Sequence, residues 1–209
     1  MTKITIIVAI FAATLFFCRG SGLRPTPPLE TVEIVPESPS RMEDSGWEQT
    51  FFKALEERTK KVNLASLSDI VLGAGDLEAR FWYDARPDII NGFVIRRSGT
   101  RWSALGIRQV NDRWPSKVTI VDLGQPESGW ESLWKRLIES QLLTLPDGDQ
   151  TKCHSEILDG AGFVVETSVA GEYRTYRYAN PQSAVCDEAK RVLSIESIIA
   201  AEFRLLSQK

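Results

Sequence analysis

The sequence has one histidine, His154, and three cysteines in 209 residues. A single imidazole excludes His-rich metal sites and leaves one candidate base for any Ser–His or Cys–His pair. Cys153 is the only Cys or His near His154, so no metal ligand set forms at a recognisable spacing. The Gly-x-Ser-x-Gly elbow is absent. Leu72-Gly73-Ala74-Gly75-Asp76 places two glycines before a strand-like run with no lysine after it, which reads as a turn and not a phosphate cradle. No cofactor is expected. A basic excess is also missing, with 25 Lys and Arg against 28 Asp and Glu. Nucleic acid is therefore not an expected partner.

No apolar run reaches the roughly 20 residues of a membrane-spanning helix. The longest, Ile4 to Phe17, follows Lys3 and ends before Arg19. That arrangement reads as a signal peptide over residues 1–20. Cys18 and Gly20 are small enough to flank a cleavage site, so the cut is expected before Ser21. A second reading makes Cys18 a lipidated residue. Leu15 suits that motif, but Phe16 and Phe17 are bulky beside the cysteine. A third leaves the segment uncleaved. Only these last two readings bring the chain to a membrane. The expected location is periplasmic, extracellular or anchored to the envelope. Removing Lys3 and Arg19 leaves 23 basic residues against the 28 acidic ones, a net charge of −5.

Cleavage would also leave two cysteines, Cys153 and Cys186. In an exported chain such a pair is expected to form a disulfide. Its loop of 33 residues (186 − 153) would add about 3–4 kcal/mol on a chain-entropy estimate.

Residues 21–44 carry Pro25, Pro27, Pro28, Pro36 and Pro39 among polar residues. They read as a flexible linker. A single α+β domain is expected from residue 45 to 209. Ser45-Gly46-Trp47-Glu48 has the capping-box pattern and opens a helix over 46–62. Strands are expected over 77–83, 92–97, 102–109 and 117–123, the middle two forming a hairpin around Ser98-Gly99. Ser128-Gly129-Trp130-Glu131 repeats the first cap and opens a second helix, stopped by Leu145-Pro146-Asp147. A second hairpin runs from Gly162 to Tyr178 and turns at Ala170-Gly171. A last helix starts at Asp187, with Ala189, Val192, Ile195, Ile199, Phe203 and Leu206 as its apolar stripe. The sum is an antiparallel sheet of five to seven strands with three main helices.

Three short matches recur in order. Ser45–Glu48 matches Ser128–Glu131, Leu67-Ser68-Asp69 matches Leu145-Pro146-Asp147, and Gly92–Ile95 matches Gly162–Val165. An internal duplication of helix-plus-hairpin units would explain them and would put the helices on one face. Convergence on good caps, stops and strand starts explains them equally.

Acidic residues are plentiful: Glu78, Asp84, Asp88, Asp122, Glu156, Asp159 and Glu166 all fall on or beside expected strands. No spacing singles out a pair for glycosidic chemistry. Strand alternation puts Arg174, Tyr176 and Tyr178 on one face and Tyr173, Thr175 and Arg177 on the other. Arg96 and Arg97 likewise take opposite faces. An Arg/Tyr face supplies bidentate bonds and flat amphipathic area, so Arg174, Tyr176 and Tyr178 are candidate binding residues. Of the six tryptophans, Trp47, Trp130 and Trp134 fall on helix stripes. Trp114 precedes Pro115 in a polar stretch and is the candidate exposed aromatic. The reading that follows is an exported, non-enzymatic binding or interaction module, its partner an envelope or extracellular protein or a saccharide. A hydrolase using acidic residues is one alternative. A lipid-anchored envelope protein of structural role is the other.

Overall fold

The computed structural model describes residues 47–86, 89–110, 117–153 and 161–204. The order is α1 (Trp47–Thr59), β1 (Leu77–Arg86), β2 (Ile89–Ser98), β3 (Arg101–Val110), β4 (Lys117–Asp122), α2 (Trp130–Glu139), β5 (Gly162–Val169), β6 (Glu172–Ala179) and α3 (Asp187–Glu202), with single-turn helices between them. The strands form one six-stranded sheet in the order β4-β3-β2-β1-β5-β6. Every neighbouring pair is antiparallel. The α+β fold expected from the sequence is the fold found. The expected signal peptide, linker and domain start at residue 45 lie outside the described residues.

Alternation along the strands separates two environments. Ala79 and Phe81 on β1, Ile95 on β2, Ala104 on β3, Phe163 and Val165 on β5, and Tyr176 and Tyr178 on β6 share one face. They pack with Leu133 and Leu137 of α2 and Val192, Ile195 and Ile199 of α3. Of the stripe read from the last helix, α3 buries Ala189, Val192, Ile195 and Ile199; Phe203 follows its end, and Leu206 lies outside the described residues. On the opposite face a smaller cluster joins Leu55 of α1 to Trp82, Val94, Ile107 and Val164. The two faces are called here the dry face and the polar face.

The helices thus lie on both faces, which corrects the one-face arrangement of the duplicated reading. A rotation carrying α1 onto α2 exchanges the two faces of the sheet. Phe93 and Phe163, which the same operation should match, both lie on the dry face.

Local chemistry sets the boundaries. The β5–β6 hairpin turns through Ala170 and Gly171, both at positive φ (54° and 83°), the type I′ pattern that matches strand twist. The second capping box does not form. The N-cap of α2 is Gly129, with φ 83° and no side-chain cap. The Ser128 N–H instead donates to Glu202 Oε2 at 2.8 Å. The helix also ends sooner than Pro146, because Gln141 turns left-handed (φ 64°). The Leu142 N–H then closes on the Leu137 carbonyl at 3.1 Å, as in a Schellman stop. Gly92 is required where it stands: a Cβ there would lie 2.3 Å from the Trp82 ring and 2.6 Å from the Phe81 carbonyl oxygen.

The two sheet edges differ. The Arg177 N–H of β6 donates to Asp147 Oδ2 at 3.0 Å. The turn beginning at buried Gly148 lies so close that a Cβ there would be 2.4 Å from the Arg177 carbonyl oxygen. Among the described residues nothing pairs with the outer edge of β4, where Ile120 and Val121 are 40% and 54% exposed.

Candidate functional site

The polar face holds the most unusual chemistry of the molecule. On β1, Glu78, Arg80 and Trp82 alternate with apolar residues and so project to that face together. Register then sets Glu78 opposite Arg96 of β2, and Arg80 opposite Glu166 of β5. Glu78, Arg80 and Glu166 are 0%, 1% and 2% exposed.

Their hydrogen bonds form two linked groups. Glu78 accepts from Arg80 Nε at 2.7 Å on one oxygen and from Arg96 Nε at 2.6 Å on the other. Arg80 Nη1 reaches across to the Ala65 carbonyl at 2.8 Å, tying the segment after α1 to the sheet. Glu166 accepts from Trp82 Nε1 at 2.6 Å and from the Tyr173 hydroxyl at 3.2 Å. Arg80 Nη2 is buried without a hydrogen-bond partner among the described residues. Burial pushes the Glu166 carboxyl above its ordinary pKa, against the pull of the Arg80 charge and of the two donors.

This cluster opens into a cleft of about 300 Å³ bounded by Ile70, Leu72, Asp76, Glu78, Arg96 and the Arg97–Ser98 end of β2. Its walls are held from outside. Asp76 Oδ1 accepts from the Gly99 N–H at 2.7 Å. Arg97 donates to the Gly75 carbonyl at 3.0 and 3.2 Å and lies over the Trp102 ring, 5.3 Å from its centroid. The Arg96 side chain is 42% exposed. Its Nε–H is fixed on Glu78, and the residue lines the cleft. A carboxylate held by two arginines, beside an apolar wall, suits recognition of an anion with an apolar body. General acid–base work would need a carboxyl oxygen within reach of substrate. Glu78 and Glu166 are both almost fully buried and accept one hydrogen bond on each oxygen.

The sequence matches no family model and no curated protein.

The residues singled out from sequence fall elsewhere. Arg174, Tyr176 and Tyr178 do share a face of β6, but it is the dry face, and the chain after α2 covers it. The Tyr176 hydroxyl donates to the Leu142 carbonyl at 3.0 Å and the Tyr178 hydroxyl to the Pro146 carbonyl at 2.7 Å. Arg174 donates to the carbonyls of Leu143 and Leu145. Tyr176 and Tyr178 are 0% and 2% exposed. The expected open Arg/Tyr binding face is therefore corrected: these side chains bind their own backbone. Their polar tips satisfy carbonyls that the chain after α2 would otherwise leave unpaired. Cys153 and Cys186 stand at disulfide distance, with Cα atoms 5.4 Å apart. Trp114, Cys18 and His154 lie outside the described residues.

Three of the tryptophans make a seam rather than separate features. Trp102 of β3 stacks on Trp130 of α2 with centroids 5.7 Å apart, and Trp134 leans on Trp102 at 5.8 Å. Phe203, after α3, closes on Trp130 at 6.3 Å. Arg97 and Trp130 stand against Trp102 and fix its ring, and Glu131 accepts from its Nε1 at 3.3 Å. Sequence reasoning passed over Glu78, Arg80, Arg96 and Glu166 as a group. The one available signal was the Glu78-x-Arg80-x-Trp82 alternation in β1, which puts charge and aromatic on one face of a central strand.

Proposed function

We propose that the chain is an exported, non-enzymatic binding module whose ligand is an anion with an apolar body, seated in the Arg96 cleft. The observation that carries this reading is the double tie of Glu78 to Arg80 and Arg96. It holds a half-exposed guanidinium at the mouth of a cleft with Ile70 and Leu72 in its wall, so little ordering remains to be done on binding. Export rests on the charged start, the apolar run and the small residues before Ser21. Intact mass of the protein from its native source tests it. A chain retaining residues 1–17 without lipid refutes cleavage, and a diacyl mass on Cys18 moves the chain to the anchored class.

Hexanoate is a suitable probe of the cleft, with hexylamine as its cationic counterpart. Titrated into isotopically labelled protein at millimolar concentration, hexanoate should move the Arg96 Nε–H signal and the Ile70 and Leu72 methyl signals. Hexylamine should not, and Arg96→Ala should abolish the response. Equal responses to both probes, or an undiminished response in Arg96→Ala, refute the anion site.

A further inference from the structure

The cysteine pair sits in an asymmetric setting. Cys186 is the N-cap residue of α3, and its Sγ accepts from the Ala189 N–H at 3.3 Å. Cys153 has the Glu188 carboxylate 3.6 Å from its Sγ. The two sulfurs and the carboxylate oxygen all lie within 4.8 Å of one another, and all three residues are half-buried, so solvent reaches them. Among the described residues, Asp187 and Lys190 at this helix start pair with each other at 2.8 Å, with Arg191 one residue on and Lys152 beside Cys153.

These surroundings weigh differently on the two sulfurs: the backbone N–H contact falls on Cys186, and the 3.6 Å carboxylate contact falls on Cys153. Backbone N–H groups at a helix N-terminus stabilise a thiolate. A carboxylate in near contact destabilises one. In thiol–disulfide exchange the sulfur that forms the more stable thiolate leaves, and the incoming thiolate bonds to the other. We propose that the pair is a polarised thiol-exchange site: a small monothiol adds to Cys153, and Cys186 departs as the thiolate. The incoming thiolate RS⁻ bonds to Cys153 Sγ, and the electron pair of the broken S–S bond goes to Cys186 Sγ. A second RS⁻ attacks the RS sulfur of the adduct and releases RSSR. The Cys153 thiolate so formed takes a proton from water. Two thiolates are oxidised to one disulfide while the protein disulfide is reduced. The site is independent of the anion cleft and stands on the opposite side of the sheet.

Glutathione supplies the probe. Folded protein is exposed to it at neutral pH, quenched with N-ethylmaleimide, digested and mapped by mass spectrometry. The expected result is glutathione on Cys153 and maleimide on Cys186, in about tenfold excess over the reverse pattern. In denaturant, where α3 is gone, the ratio should fall to near one. Glu188→Gln should lower the excess in the folded protein. A folded wild-type ratio near one, an excess of adduct on Cys186, or no adduct at all overturns the proposal. So does a Glu188→Gln ratio equal to wild type.

Discussion

Phe81 and Trp82 are adjacent on β1 and both fully buried, yet they enter different environments. Phe81 packs in the main hydrophobic cluster, with Phe163 at 6.3 Å between ring centroids. Trp82 covers Gly92 on one side and spends its N–H on the carboxylate of Glu166. The dry face is held by non-directional burial, which tolerates exchange of shape for shape. The polar face is held by charged hydrogen bonds that work only in one register, because each partner is desolvated and unforgiving of loss. The buried ion cluster belongs to the polar side alone, and it borders the cleft there.

The comparison breaks most visibly on the dry face. Phe81→Ala should cost about 3–5 kcal/mol through lost burial and a residual cavity, read as a lower urea midpoint with unchanged slope. A loss under about 1 kcal/mol would mean that this face is not the main core. On the polar face, Glu78→Gln should cost about 3 kcal/mol, because it removes the carboxylate that Arg80 Nε is bonded to in the interior. The double variant Glu78→Leu/Arg80→Met sharpens the distinction. It should return to within about 1 kcal/mol of wild type, since replacing a buried ion pair by packed apolar groups is often neutral. A double variant as unstable as Glu78→Gln would show the ion cluster to be a net source of stability.

The smallest effect is the pH dependence of Glu166. Its folded pKa is raised above the ordinary 4.5 by burial, so the folded chain keeps a proton that the unfolded chain releases. That contribution to stability is fully present below 4.5 and is lost as pH rises through the folded value. Glu166→Gln cannot ionise and lacks the term. Asp147 and Glu196, whose pKa values burial also raises, stay in both proteins and cancel in the difference. Stability of wild type minus that of Glu166→Gln, from denaturant midpoints across acid to neutral pH, should therefore fall as pH rises. A difference that grows with pH would refute the assignment.

The sheet was legible in the sequence because its signals are local. Alternation over 77–83 and 162–178, the turn at Gly99, the Ala170-Gly171 turn and the α3 stripe each depend on a few neighbouring residues. The disulfide was legible by elimination once Cys18 was assigned to the export segment. The face bearing Arg174, Tyr176 and Tyr178 was read correctly as one face, but periodicity does not say what packs on it. Here residues 142–146, distant in sequence, arrive to accept their hydrogen bonds. Glu78 and Glu166 were two among seven acids with nothing to separate them. What joins them is strand order: β5 returns to pair with β1 rather than with β4, and that long-range choice carries no local mark.

The contrast between the sealed edge at Arg177 and the bare edge at β4 sets the arithmetic of self-association. A chain of copies joined sheet to sheet needs each molecule to offer two docking ends. This one offers a single end among its described strands. Pairing through β4 would use it up in both partners at once, giving a closed twofold dimer. A capped strand at the other edge then acts as a chain terminator against the cross-β stacking that an exposed pair such as Ile120-Val121 otherwise invites.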